Sequence, residues 1–145
     1  MGARLRAVSP APPVALADVH IGIEKTGSSA IQAFLQTNRD TLLTEHGVLF
    51  PRSLGGRLSA NLAAACQEND RPDDLRKVRG LLTAGAVRTY REELQDRLRA
   101  EIGRTQPRRL VISCEHLSSR LPRREDIERL HAFLDPFAVE LRIRV

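Results

Sequence analysis

The fold is best predicted from the segment Val19-His20-Ile21-Gly22-Ile23-Glu24-Lys25-Thr26-Gly27-Ser28-Ser29-Ala30. A short apolar strand leads into two glycines, Gly22 and Gly27, two serines follow, and an amphipathic segment begins. This is the pattern of a strand, a loop of the size that encloses a phosphate group, and the N-terminus of a helix. Backbone N–H groups and the ammonium of Lys25 can hold an anion there, so the loop predicts a phosphate-type ligand.

The lysine of this loop is unusual for the chain. Lys25 is one of only two lysines, which stand beside twenty-one arginines. An arginine-rich chain that keeps lysine at this position retains a compact, flexible point charge there. The formal net charge of +5 also fits an anionic partner, although codon bias toward arginine explains the same composition. Aromatic residues make up only 3% of the chain, which argues against a base-stacking platform and therefore against nucleic acid as a partner.

Length and composition bound the architecture and the expected compartment. A chain of 145 residues, 41% of them hydrophobic, suffices for one domain with a real core but not for two. Cys66 and Cys114 are too few for a disulfide framework or a zinc ribbon, so we expect both to be reduced and buried. The histidines show no metal-ligand spacing. Without an 18-residue apolar run or a signal peptide, no membrane contact is expected, and a reducing cytoplasm is the expected compartment.

The apolar periodicity divides the chain into a tail and an α/β domain. Residues 1–13 are expected to be a disordered Pro/Ala tail, and residues 14–145 to form the folded part. Alternation of strands with helices predicts an α/β fold with a mostly parallel sheet and right-handed crossovers. Because the sequence ends within its last predicted strand, we expect a domain truncated after about four strands. Strands are predicted at 14–23, 48–51, 109–113 and 139–145, and helices at 28–45, 60–67, 87–103 and between Pro122 and Pro136.

The loop shares its glycine spacing with the Walker A pattern, Gly-x-x-x-x-Gly-Lys-Ser/Thr, but differs in its lysine. Ser28 stands at the position of the Walker lysine, and the lysine of this chain lies earlier, at Lys25. No apolar strand ending in an aspartate that could hold magnesium is evident. A nucleotide kinase of Walker ancestry is therefore the less favoured alternative, and magnesium-dependent binding of ATP would support it.

Three segments resemble a known family. The segment His20-Ile21-Gly22-x-x-Lys25-Thr26-Gly27-Ser28-Ser29-x-Ile31-Gln32-x-x-Leu35-x-x-Asn38-Arg39, followed by Gly47-Val48-Leu49-Phe50-Pro51, resembles the N-terminal region of bacterial sulfotransferase-like proteins. These are relatives of the enzymes that use 3′-phosphoadenylyl sulfate. Ser113-Cys114-Glu115-His116-Leu117 is similar to a Ser-x-Glu-x-Leu segment that follows a later strand in the same family. The resemblance covers most of residues 18–145 and implies a three-layer P-loop-like fold.

The resemblance also implies an activity and a set of binding residues. The expected reaction transfers a sulfuryl group from 3′-phosphoadenylyl sulfate to a hydroxyl or amine, on a carbohydrate or small-molecule acceptor. Lys25 is expected at the bridging oxygen of the phosphosulfate as a catalytic residue. No metal is expected, because sulfuryl transfer depends mainly on positioning and charge stabilisation and the sulfuryl group carries less negative charge than a terminal phosphoryl group. The expected donor-binding residues are Lys25, Thr26, Gly27, Ser28 and Ser29.

The general base is harder to assign. Relatives often carry a histidine after the Phe-Pro loop, where this chain has Ser59-Ala60-Asn61-Leu62, and an asparagine cannot act as a base. Glu115 follows the end of a predicted parallel strand, where ligands bind in open α/β sheets, so it is the candidate catalytic base. The alternative is that Glu115 caps a helix or pairs with an arginine. We interpret His116 as a partly buried loop residue and His20 as a core residue with a hydrogen-bond partner.

The C-terminal end departs from the family pattern. Relatives continue the strand corresponding to residues 139–145 into a Tyr-Leu-Arg-type segment and a serine that hold the 3′-phosphate, and this sequence contains neither. Weak or no turnover is therefore expected of this chain alone. The alternative is a non-catalytic anion-binding or interaction module, in which the last strand offers an edge for pairing with a partner or with a second copy.

Overall fold

The computed structural model describes residues 13–22, 28–55, 59–67 and 73–144, with side chains in the first helix described from Ala30 onward. Most of the predicted tail and the centre of the glycine loop lie outside these residues. Along the described chain the elements are β1 (Val14–His20), α1 (Ser28–Thr37), α2 (Arg39–His46), β2 (Val48–Leu49), α3 (Ala60–Cys66), α4 (Asp74–Val78), α5 (Ala84–Thr105), β3 (Arg109–Ser113), α6 (His116–Arg120), α7 (Arg124–Leu134), a 3₁₀ turn (Asp135–Phe137) and β4 (Ala138–Arg144).

The four strands form one parallel sheet in the order β2-β3-β1-β4. β1 is therefore a central strand, paired with β3 on one side and with β4 on the other. Its register places Ala17 opposite Leu110 of β3 and Leu141 of β4. This confirms the predicted α/β class and its parallel sheet.

Helices cover both faces of the sheet and make the fold three-layered. The connection from β1 to β2 crosses the sheet in one direction, whereas those from β2 to β3 and from β3 to β4 cross it in the other. Right-handed crossovers place such connections on opposite faces. The contacts agree, since α1 packs on α2 while α3 packs on α5, α6 and α7. None of the helices within the described ranges is long and apolar enough to cross a bilayer.

The core is mainly aliphatic, as the low aromatic content requires. Ala17 and Val19 of β1 are completely buried, because alternate side chains of a strand face the same layer. They belong to one cluster with apolar residues of the helices on that face. From α3, α5 and α7 these include Leu62, Ala63, Ala65, Leu94, Leu98, Ile102, Leu130, Phe133 and Leu134.

One long helix predicted at 28–45 is two helices. Asn38 separates α1 from α2 with φ of −100° and ψ of 13°. Its side-chain amide donates a 2.8 Å hydrogen bond to the carbonyl of Phe34, a local bond that competes with continued helix. α2 ends at His46, and Gly47 after it adopts φ of 65°.

Other boundaries differ in ways that have physical causes. The helix predicted to end at Gly103 continues to Thr105, where Gln106 takes a left-handed conformation and donates to Ile102. Gly103 therefore does not terminate α5. The strand predicted at 14–23 ends at His20. The short helices α4 and α6 were not predicted, since five residues are too few to show helical periodicity.

Candidate functional site

The carboxyl ends of three strands meet at one edge of the sheet. The N–H of Cys114, just after β3, donates to the carbonyl of His20 at 3.0 Å, and the N–H of Ile21 donates to Arg144 of β4 at 2.7 Å. The connections that leave the neighbouring strands β1 and β3 then run in opposite directions across the sheet. In open α/β sheets a ligand-binding crevice forms at such a point.

The glycine loop spans the seven residues between β1 and α1 at this edge. Ile21 and Gly22, at its start, are buried. The backbones of Ser28 and Ser29 form the first turn of α1. Lys25, Thr26 and Gly27 lie outside the described residues, as do the side chains of both serines. Their roles in donor binding stay predictions.

Glu115 lies at the same edge and carries a carboxylate without a partner in the described structure. It follows Cys114 at the N-cap position of α6 and is half-buried. Only its backbone carbonyl is engaged, accepting from the N–H of Ser118 at 3.3 Å and from the Ser118 hydroxyl at 2.9 Å. Within the described residues the carboxylate neither caps the helix nor pairs with an arginine. Neither structural role that the sequence analysis left open for Glu115 is seen among these residues.

The two histidines near this edge have hydrogen-bond partners. His20 Nδ1 lies 3.3 Å from the hydroxyl of Ser113, its neighbour in the β1–β3 register. The interpretation of His20 as a core residue with a partner agrees with this contact, although its side chain is only half-buried. His116 is the first residue of α6, not part of a loop, and its Nδ1 accepts from Arg120 Nη1 at 3.1 Å.

A buried cysteine, Cys114, and a buried serine, Ser59, lie in contact next to Glu115. The Cys114 thiol lies 3.5 Å from the carbonyl oxygen of Ser59, and burial raises its pKa to about 12. Ser59 is fully buried in a left-handed conformation, with φ of 48°. Its hydroxyl has no hydrogen-bond partner among the described residues. The sequence marked Ser59 only as part of the segment where relatives carry a histidine, and its place beside Cys114 depends on a contact across 55 positions of chain.

Gln32 is a second buried polar group that the sequence analysis did not single out. It is the fifth residue of α1, which packs against β3, and is only 1% exposed. Neither atom of its amide has a hydrogen-bond partner within the described ranges. Leaving a buried amide unsatisfied costs about 1–3 kcal/mol, so this amide needs an explanation, such as a catalytic role or a bound water or ion. The one feature of the sequence that pointed to Gln32 is its place in the motif that follows the glycine loop.

Comparison with known proteins assigns no family. The chain matches no family model, no curated protein and no solved structure. Among the described residues, no group of three or more His, Cys, Asp or Glu is arranged to hold a metal ion. What the site can do therefore has to be argued from its own chemistry, which is an unpartnered carboxylate and buried polar groups beside a strand–loop–helix connection.

Proposed function

We propose that the chain binds the 5′-phosphosulfate of 3′-phosphoadenylyl sulfate at residues 22–29 and positions it for sulfuryl transfer to a hydroxyl or amine. The observation that carries the proposal is topological. A central parallel strand, β1, passes through a glycine loop into α1, directly beside the strand β3 whose carboxyl end bears Glu115. The acceptor class, a carbohydrate or another small molecule, is part of the proposal.

The loop chemistry suits an anionic donor without a metal. The N-terminus of α1 carries partial positive charge and free N–H groups, which favour a 5′-phosphate. In this proposal Thr26, Gly27, Ser28 and Ser29 bind that phosphate, and the ammonium of Lys25 stabilises charge on the bridging oxygen. The bond between sulfur and that oxygen breaks as sulfur bonds to the acceptor. Adenosine 3′,5′-bisphosphate leaves with the electron pair.

Glu115 is the proposed general base. The acceptor hydroxyl or amine loses its proton as the new bond to sulfur forms, and a carboxylate within hydrogen-bond reach can take it. Two observations support this role. Glu115 is half-buried at the edge of the sheet where β1 and β3 end, and its carboxylate is unpaired among the described residues. Replacing it with glutamine should leave affinity for the bisphosphate unchanged and lower any transfer rate by about a hundredfold.

The decisive experiment is a calorimetric titration of adenosine 3′,5′-bisphosphate in the presence of a chelator. Wild type, Lys25→Ala and Lys77→Ala should be compared, since Lys77 is the other lysine and lies exposed on α4. We expect binding by wild type and by the Lys77 variant, with affinity reduced about tenfold or more in the Lys25 variant. Equal binding by all three, or none by the folded wild type, would overturn the proposal. Binding of ATP only with magnesium would favour the kinase alternative.

Exposed apolar side chains on β4 favour a second candidate function, pairing with another copy of the chain. β4 is an edge strand in the described sheet, and Val139 and Ile143 on it are 77% and 37% exposed. The charges of Glu140 and Arg142 oppose such pairing. Sedimentation should show concentration-dependent dimers that Ile143→Lys abolishes. A monomer at all concentrations would exclude this candidate.

A further inference from the structure

Three arginines line a cavity beyond the carboxyl end of β2. β3 lies between β2 and β1, the strand that leads into the glycine loop. The cavity has a volume of about 340 Å³. Its lining includes the exposed guanidinium groups of Arg52, Arg97 and Arg104, together with Ser53 and Glu101. We call this cavity with its three arginines the arginine pocket.

Two arginines of the pocket, Arg97 and Arg104, lie on α5. Arg97 and Arg104 stand seven residues apart on one face of the helix, and neither makes a hydrogen bond or ion pair with another described residue. The carboxylate between them, Glu101, is already engaged, because its two oxygens accept the N–H groups of Arg52 and Ser53 at 2.8 and 3.0 Å. These bonds hold the loop after β2 against α5, so Arg52 of the loop and the two arginines of α5 lie around the same cavity.

Buried donors lie beside the same cavity. Arg39 is only 8% exposed, its Nε donates to the carbonyl of Phe50 at 3.0 Å, and its guanidinium lies 4.7 Å from the centre of the Phe50 ring. Its Nη2 is buried and has no hydrogen-bond partner among the described residues. Burial and the nearby charge of Arg52 lower the pKa of Arg39. The hydroxyl of Ser53, on the cavity wall, is likewise buried without a partner in the described structure.

We propose that the arginine pocket is a binding site for a phosphate monoester, separate from the glycine loop. The cavity lining carries three arginines, Arg52, Arg97 and Arg104, and one carboxylate, that of Glu101. Two positive charges remain, and they match the charge of about −2 on a phosphate monoester at neutral pH. Arginine is also the side chain best suited to bidentate recognition of phosphate. The cavity is large enough for a phosphate carrying a small organic group.

The test uses phenyl phosphate and phenyl sulfate as probes at low ionic strength, followed by NMR shifts of the Arg52 and Ser53 amides. We expect phenyl phosphate to bind to wild type, and the double variant Arg97→Gln/Arg104→Gln to bind it about tenfold more weakly. Arg88→Gln, an exposed position on the same helix, is the matched control and should bind as wild type.

Charge dependence gives a second readout. Phenyl sulfate carries one negative charge, so it should bind several-fold more weakly than the phosphate. Binding of phenyl phosphate should weaken as the pH falls from about 7.5 to 5.5, because the monoester takes up its second proton near pH 6 while the guanidinium groups stay charged. Equal affinity for the two probes would contradict the assignment of a dianion.

The outcome separates this site from the proposed loop site. Lys25→Ala should retain the response of the Arg52 and Ser53 amides to phenyl phosphate. Loss of the response in that variant would show that the probe binds the loop, and the pocket assignment would be wrong. An unchanged response in the double arginine variant, or no response in wild type, would overturn it as well. Failure of the bisphosphate titration leaves these outcomes unaffected.

Discussion

Arginine side chains close the carboxyl end of α3. The helix ends at Cys66 without a left-handed cap, because Gln67 is extended, with ψ of 167°. The last carbonyl groups of α3 and the carbonyl group of Gln67 accept hydrogen bonds from guanidinium groups instead. The hydrogen bonds run from Arg76 Nε to Ala64 (3.1 Å), from Arg76 Nη2 to Gln67 (2.7 Å), from Arg91 Nε to Ala65 (3.0 Å) and from Arg129 Nε to Cys66 (3.2 Å). Part of the arginine content therefore stabilises the fold itself.

Arg76 allows this role to be measured. It is 1% exposed, so Arg76→Met should leave the carbonyls of Ala64 and Gln67 without these donors in the interior. We expect the free energy of unfolding to fall by about 2–3 kcal/mol, measured by urea denaturation. Lys77→Met, at the exposed next position, should change it by less than about 0.5 kcal/mol. Similar losses in both variants would show that the buried hydrogen bonds contribute little.

At the scale of elements, Gly47 joins α2 to the sheet. Its N–H donates to the carbonyl of Leu43 at 3.1 Å, which closes the helix, and its own carbonyl accepts from Arg108 and Arg109 at 2.8 and 3.1 Å. The φ of 65° at this position is one that glycine adopts without strain. A single residue thus ends α2 and sets the start of β2 beside β3.

Two glycine substitutions should have opposite effects. Gly47→Ala forces a side chain into a left-handed position, with its Cβ 3.0 Å from Arg108 Nε, and should lower the free energy of unfolding by about 1 kcal/mol. Gly85→Ala lies in the first turn of α5, where the nearest atom to the new Cβ, Thr83 Oγ1, is 4.0 Å away. It should raise stability by up to about 0.5 kcal/mol. Urea denaturation measures both, and changes of the same sign would contradict this account.

At the scale of the whole molecule, the two thiols report on global opening. Cys66 and Cys114 are free, and both belong to the single core cluster that joins the sheet to α3, α5 and α7. Burial raises the pKa of each thiol to about 12. We therefore expect both to react with a thiol reagent at pH 8 at one slow rate, set by unfolding of the whole domain. Fast labelling of one cysteine in the native state would show local opening instead.

The same thiols predict a pH dependence. The pKa of each thiol is about 12 in the folded state and near its ordinary value of 9.0 when unfolded. Their contribution to stability is complete below about pH 9 and is lost as the pH rises toward 12, because the unfolded chain then releases protons that the folded chain retains. Replacing both cysteines with valine should make the decline in unfolding free energy between pH 8.5 and 10 shallower. An unchanged slope would contradict this assignment.

Most local elements can be predicted from the amino-acid sequence alone. The strand at Arg109–Ser113, the turn at Gly47 and the order of strands and helices follow from hydrophobic periodicity and backbone preference, which act between near neighbours. The glycine loop and Lys25 are also sequence predictions, and their binding roles await the titration. Tertiary packing, in contrast, sets the strand order β2-β3-β1-β4, the place of Glu115 beside β1 and the arginine pocket. Each of these joins residues far apart in the chain, and packing selects such partners only when the whole core forms.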